Sequence, residues 1–178
     1  SNRKIRTRFY KLQVQFEGAG AEAFDKTQPG QFAQIDLSRT AVPEPENIPE
    51  QLSDSVQRDI ILRRPYSFCD ITSKEGKTVA EVLYCVVGPA SVRMTTLKEN
   101  ISVGVIGPLG NGFSAPVGKK TALLVIGGMG APPIQHLAKT LSQEHSDVQV
   151  VALVGAKTKT DLPFEGRIDD VSKEIGFP

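Results

Sequence analysis

Short stretches in which apolar and polar residues alternate recur through the first two thirds of this chain: Phe9 to Phe16, Gln31 to Leu37, Tyr66 to Thr72, Thr78 to Val87 and Ile101 to Ile106. They lie between turn-forming residues without helical punctuation, and this predicts an antiparallel barrel or sandwich. From Val117 onward the pattern changes. An apolar run, Thr121 to Ile126, leads into a glycine cluster and then into Ile134, Leu137, Ala138 and Leu141, spaced as one face of a helix. A second apolar run, Val148 to Val154, reads as another buried strand, completing a strand-helix-strand unit of a parallel sheet. A further helix is predicted from near Ile168 to Gly176, which would cap it. The two patterns meet between Gly112 and Lys120. Arg39 to Asp59 fits neither, because Pro43, Pro45, Pro49 and several acids leave little periodicity; it reads as an exposed insertion, with partner binding as the alternative.

The 178 residues give room for one ordinary domain or two small ones, and 39% apolar residues are enough for a core. With 21 Lys and Arg against 20 Asp and Glu, the net charge is +1, so no global field would hold nucleic acid or an acidic membrane. Any charged ligand must be gripped locally. No run approaches the roughly 20 apolar residues of a membrane span, and Ser1 to Arg8 lacks the apolar core of a secretion signal, so the chain reads as cytoplasmic. Cys69 and Cys85 sit in strand-like runs, where small core residues are expected. Two thiols make neither a disulfide framework nor a four-thiolate site.

Three local signals bear on chemistry. Gly127-Gly128-Met129-Gly130-Ala131-Pro132-Pro133 lies between a predicted strand and a predicted helix, where glycines let the backbone approach a phosphate and the amides of the helix start attract it. It is neither the dinucleotide fingerprint nor a P-loop, and an ordinary tight turn would look the same. In Arg63-Arg64-Pro65-Tyr66-Ser67-Phe68, alternation puts Arg64 and Tyr66 on one face. A guanidinium there pairs with phosphate and an aromatic ring stacks on a flat heterocycle, while Ser67 offers a hydroxyl from the other side. A charged strand end with a core tyrosine is the alternative. Gly107-Pro108-Leu109-Gly110-Asn111-Gly112-Phe113 demands a specific turn, which by itself is only a turn.

Taken in order, these elements resemble the ferredoxin-reductase-like flavoproteins, most closely the electron-transfer subunits of dihydroorotate dehydrogenase, a pyrimidine-biosynthesis enzyme, and their relatives. Arg64-Pro65-Tyr66-Ser67 is similar to the family's flavin-binding element and is preceded by Pro29-Gly30-Gln31-Phe32. Gly107 to Phe113 and Gly127 to Pro133 are similar to two further family loops, and Gly155 to Lys159 resembles the segment after the second nucleotide-domain strand. The resemblance covers nearly the whole chain. It implies an antiparallel Greek-key FAD-binding barrel over residues 1–114, with residues 39–59 as its insertion, followed over residues 115–178 by a partial parallel α/β domain for NAD or NADP.

The resemblance also implies roles for residues. Arg64 would contact the FAD pyrophosphate or ribityl chain, with Pro65 setting the strand; Tyr66 would pack on the isoalloxazine, and Ser67 would lie near its N5. Leu83, Tyr84 and Cys85 would pass the flavin. Ala90, Ser91 and Thr95 align with the family's pyrophosphate segment, although Ala90 replaces a glycine and Cys85 a polar position. Gly127, Gly128, Met129 and Gly130 would form the nucleotide loop. No side chain is needed as a catalytic acid or base, and no metal ligand is expected within this chain. Relatives continue into a Cys-Gly-Pro element and a cysteine-rich loop holding a [2Fe-2S] cluster, and neither occurs here. The chain is therefore expected to be a truncated form or part of a longer protein, with the cluster only in a missing C-terminal segment. His136 and His145 read as solvent-exposed. Lys157 and Lys159 are surface lysines or holders of an NADP 2'-phosphate.

The function these implications support is an electron-transfer flavoprotein subunit. It would pass electrons between NAD(P)H, FAD and an iron-sulfur centre or a catalytic dehydrogenase subunit, as a hetero-oligomer or homodimer. A binding or assembly module that has lost electron transfer is the alternative.

Overall fold

A computed structural model describes residues 1–114, 118–145, 147–158 and 161–162. In chain order its elements are β1 (Asn2–Lys4), β2 (Phe9–Glu17), α1 (Gly18–Asp25), β3 (Phe32–Ile35), β4 (Arg64–Lys74), β5 (Lys77–Cys85), α2 (Pro89–Met94), β6 (Val105–Leu109), β7 (Thr121–Gly127), α3 (Ala131–Glu144) and β8 (Gln149–Gly155). The helix expected near Ile168 lies outside the described residues, as does Lys159.

The first six strands form one antiparallel sheet in the order β1-β2-β5-β4-β3-β6. Within it β3, β4 and β5 follow one another and β6 returns beside β3, which is the Greek-key arrangement. The β4–β5 hairpin turns at Glu75 and Gly76, both at positive φ, the backbone that a two-residue turn matching the strand twist requires. Around the inner face, Leu12, Phe24, Ile35, Phe68, Val82, Tyr84 and Met94 form the main core.

The expected barrel is not closed, because among the described residues no ladder joins β1 to β6. The edge strand β1 has only three residues, pairing Asn2 to Lys4 with Leu12 to Tyr10. Where a ladder is missing, side chains bridge: Asn2 Nδ2 donates to the carbonyls of Met94 at 2.9 Å and Leu97 at 3.2 Å. The last strand of this sheet is also displaced from its predicted position, spanning Val105–Leu109 rather than Ile101 to Ile106.

Two helices interrupt the region read as all strand. The α1 sequence carries two glycines and has no side-chain cap, so its stability comes from packing. Phe24 lies parallel to Phe16 with ring centroids 3.8 Å apart, and Thr78 Oγ1 donates to the Ala21 carbonyl at 2.8 Å. The insertion is likewise not a detached loop. It contains two short 3-10 turns, Pro45–Asn47 and Glu50–Leu52, and Val56 is 0% exposed. Arg93 of α2, itself 7% exposed, donates from Nε to the Val56 carbonyl at 2.9 Å. Together with Thr96 Oγ1, which donates to the Ala41 carbonyl at 3.4 Å, these contacts anchor a segment whose sequence shows no periodicity.

In the remaining part, β7 and β8 pair in parallel from Thr121↔Gln149 to Gly127↔Gly155, connected through α3. Leu124, Leu137, Ala138, Leu141 and Val150 fill the space beneath α3. The opposite sheet face leaves Leu123, Val125 and Leu153 exposed, so among the described residues this pair is covered on one face only. No helix among these residues is long and apolar enough to cross a membrane.

Candidate functional site

The two long strands β4 and β5 part at the position of the Arg-Pro-Tyr-Ser element. Their ladder runs from Lys74↔Lys77 to Phe68↔Val82 and extends no further toward Arg64 and Cys85. Residues 64–67 instead pair with β3, and Leu83, Tyr84 and Cys85 pair with Lys11, Tyr10 and Phe9 of β2. The result is a fork, with Arg64 to Ser67 on one lip and Leu83 to Cys85 on the other. Pro65 suits such a lip, since it has no N–H to give to a second neighbour.

At the base of the fork, the rings of Tyr66 and Tyr84 meet edge to face with centroids 6.3 Å apart, and Tyr10 stacks on Tyr84 at 5.5 Å. Burial pushes the Tyr66 phenol up to about 12, with the Arg64 charge opposing it. Burial also raises the Tyr84 phenol, against the effect of its 3.1 Å hydrogen bond to Asn2 Oδ1. Both rings remain uncharged hydrogen-bonding groups at neutral pH. Arg64 Nη1 donates to the carbonyls of Leu62 at 3.1 Å and Arg63 at 3.4 Å, which holds the guanidinium beside its own loop. Cys85 is buried, and burial raises its thiol; Arg8 opposes the shift and Asp161 reinforces it.

The glycine loop stands next to this fork. On the outer face of the antiparallel sheet, Cys69 and Leu83 pack with Ile126 and Ala131, which bracket Gly127 to Gly130. A Cβ placed on Gly127, Gly128 or Gly130 would meet no atom within 4 Å, so open space lies over the loop, and Gly128 has φ +49°. The amide supply is smaller than the sequence suggests. Pro132 and Pro133 carry no N–H, and the Ala131 N–H is already given to the Gly128 carbonyl. Any phosphate here would depend on the amides of the loop itself.

Other predicted residues have local duties. Ser91 Oγ accepts from the N–H groups of Val87 and Gly88, both at 3.0 Å, and donates to the Gly88 carbonyl, fastening the start of α2. Thr95 Oγ1 donates to the Val92 carbonyl at 2.7 Å, and Ala90 is buried against the core. Gly107 to Phe113 docks on the Gln28 to Gln31 turn: Phe113 N–H donates to the Pro29 carbonyl at 2.7 Å, and Gln31 Nε2 to the Gly110 carbonyl at 2.9 Å. A Cβ on Gly112 would run into the Gln28 side chain, so that position needs glycine for contact rather than for a ligand.

His136 departs from expectation, being 7% exposed rather than at the surface. Helix α3 is packed on β7 and β8 along one side and on β4 along another, so its buried arc is wider than the stripe of Ile134, Leu137, Ala138 and Leu141. The periodicity marks the first contact but carries no sign of the second. No three His, Cys, Asp or Glu side chains converge as metal ligands among the described residues.

No protein-family model matches the chain. It is 34% identical over 168 residues to the electron transfer subunit of dihydroorotate dehydrogenase B (NAD(+)) from Bacillus caldolyticus, spanning 93% of this chain and 55% of that protein. The subunit of the same name from Bacillus velezensis is 32% identical over 169 residues, spanning 93% and 56%. The chain thus spans about half the length of the curated relatives it matches. Among solved structures, an NADH-dependent reduced ferredoxin-NADP oxidoreductase superimposes with a TM-score of 0.65 at 24% identity, covering 91% of this chain and 49% of that one. Phthalate dioxygenase reductase gives 0.64 at 18% identity, covering 97% and 46%. At these identities the structures establish the fold. Over nearly its whole length, this chain is a sequence relative of dihydroorotate dehydrogenase electron transfer subunits, on the fold of the ferredoxin-reductase-like FAD- and NAD-binding proteins.

Proposed function

We propose that this chain supplies the flavin fork and the nucleotide loop of an electron-transfer subunit. In this role it carries reducing equivalents from NAD(P)H through FAD toward an iron-sulfur centre or a catalytic dehydrogenase subunit. Residues 1–114 form the flavin unit and residues 115–178 belong to the nucleotide unit. The observation that carries this reading is the parting of β4 and β5 beyond Phe68↔Val82, with the bracket of the glycine loop packed against the same strands.

The residues of the fork suit a flavin. Arg64 is a permanent cation for a phosphate, the partly exposed Tyr66 ring is flat, uncharged and backed edge to face by the buried Tyr84 ring, and Ser67 is half-buried on the lip. The open space over Gly127, Gly128 and Gly130 leaves room for a second, nucleotide ligand. When bound, FAD accepts hydride and releases electrons singly, and the protein has to orient it and exclude water. Pro65 stiffens the lip. Leu83 and Cys85, both buried, back the other lip with apolar packing, and Met129, exposed on the loop, adds an apolar contact for the nucleotide. A [2Fe-2S] centre, where the relatives hold one, would take its thiolates from outside Cys69 and Cys85, both of which are buried.

Two observations favour the second reading, a reductase-like assembly module without electron transfer. The Ser91 and Thr95 hydroxyls are engaged in α2's own bonds, and Pro132 and Pro133 remove phosphate donors. Reconstitution with FAD decides between the two. Absorbance with flavin vibronic structure that survives gel filtration supports the first reading, and a chain that stays colourless overturns it. Bleaching by NADH or by NADPH then identifies the nucleotide.

A further inference from the structure

Just before the fork, the β4–β5 ladder changes register. Thr72↔Val79, Ile71↔Ala80 and Asp70↔Glu81 follow in step, but the next pair is Phe68↔Val82, so Cys69 stands as an extra residue on β4 between two consecutive residues of β5. Such a β-bulge bends its strand, increases the local twist and can end pairing beside a functional site. Phe68↔Val82 is the last rung, after which residues 64–67 pair with β3 and residues 83–85 with β2. Pro65 does not account for this ending. It lies three residues past the last rung, and Tyr66 and Ser67, which carry N–H groups, already stand outside the ladder.

The two strands are held from opposite sides at this point. On β5, the Glu81 carboxylate accepts from Lys11 Nζ at 2.7 Å and from Gln13 Nε2 at 2.8 Å, both on β2. The Lys11 side chain is only 5% exposed, so breaking that pair would strand a buried charge, and β5 stays on β2. On β4, Cys69 is 0% exposed and packs with Leu83, Ile126 and Ala131, the last two bracketing the glycine loop. The next residue, Asp70, is tied to Lys139 of α3. The Cys69 thiol also donates to the Glu81 carbonyl at 3.4 Å, closing the bulge over β5. One residue therefore stands both where β4 leaves β5 and where the glycine loop is seated.

We propose that Cys69 is a positioning residue: as the bulge of β4 it parts the two lips of the fork, and from the same place it seats the glycine loop beside them. Its consequence for ligands rests on the reading of the fork as a flavin site, whereas its consequence for the strands does not. The test compares the parent with a chain lacking Cys69 and with Pro65→Ala, following backbone contacts between residues 64–67 and 83–85 by nuclear magnetic resonance without flavin, and then titrating FAD. Without Cys69 the ladder is expected to continue into the fork, bringing the lips into cross-strand contact and lowering FAD affinity about tenfold or more. Pro65→Ala is expected to leave the lips apart. Should the shortened chain not fold, Cys69→Ala and Cys69→Ser decide. Cys69→Ala is expected to shift the amide signals of Gly128, Gly130 and residues 66–67 and to weaken FAD about threefold, the worth of one weak hydrogen bond. Cys69→Ser, which keeps a donor for the Glu81 carbonyl, is expected to restore both. A folded chain without Cys69 whose lips stay apart overturns the proposal, as does closure of the fork by Pro65→Ala alone. Amide signals unchanged in Cys69→Ala overturn it too. A parent chain that takes up no flavin removes the flavin reading instead, and the flavin-free contacts and amide signals still judge the bulge.

Discussion

Lys139 of α3 places Nζ 2.7 Å from Oδ1 of Asp70 on β4, joining the helix that follows the glycine loop to the strand that carries Arg64 to Ser67. The carboxylate side of this pair is nearly buried, whereas Lys139 keeps 40% of its side-chain exposure. Solvent screening therefore limits its strength, and Lys139→Met is expected to cost about 1 kcal/mol. Urea unfolding with a Lys139→Met, Asp70→Asn double-mutant cycle measures the coupling, which should shrink in 1 M salt on the order of the screening expected there. A coupling of zero at low salt would remove this pair as a link between the two sheets.

His136 should make stability depend on pH. Burial lowers its folded-state value below the ordinary 6.5, so the unfolded chain takes up a proton at a pH where the folded chain does not. Stability is full above about pH 6.5 and falls as pH drops toward the lower folded value. His136→Phe should flatten this part of the profile. The carboxylates Glu17, Asp36 and Asp161 are all lowered, and their effect belongs to more acidic solution. Thermal unfolding from pH 7.5 to 5, compared between the two proteins, checks it.

Arg93 fastens the 39–59 segment through a single bond to the Val56 carbonyl. Arg93→Leu leaves that buried carbonyl unpaired at a cost of about 1 to 3 kcal/mol. Limited proteolysis should then cut within Glu44 to Asp54 faster than in the parent. Unchanged cleavage would show that Val56 burial and the Thr96 bond to the Ala41 carbonyl hold the segment without Arg93.

At the fork, Arg64→Gln is expected to weaken FAD binding about tenfold or more, the worth of one charge-assisted phosphate contact. The variant's melting temperature without flavin should hold, since among the described residues the guanidinium bonds only to the carbonyls of its own loop. Tyr84→Phe separates structure from binding. It loses the 3.1 Å bond to Asn2, about 1 kcal/mol, while keeping the flat ring. Isothermal titration with FAD and calorimetric melting distinguish the two effects.

Much of the architecture is written locally. Alternation marks β2, β4 and β5, because a strand with one buried face leaves a period of two. The spacing of Leu137, Ala138 and Leu141 marks α3 for the corresponding helical reason. Motif order alone points to flavin and nucleotide elements. What the local pattern does not carry is anything set by a second partner. The short α1 and α2 helices, the burial of Val56 and the open sheet edge at β1 depend on contacts far along the chain. The fork is of the same kind. Residues 64–67 and 83–85 read as ordinary strands, and only their separate commitments to β3 and β2 draw them apart. His136 shows the limit most clearly: its place on the helix is local, but its burial comes from the packing of α3 against β4, which no periodicity within α3 encodes.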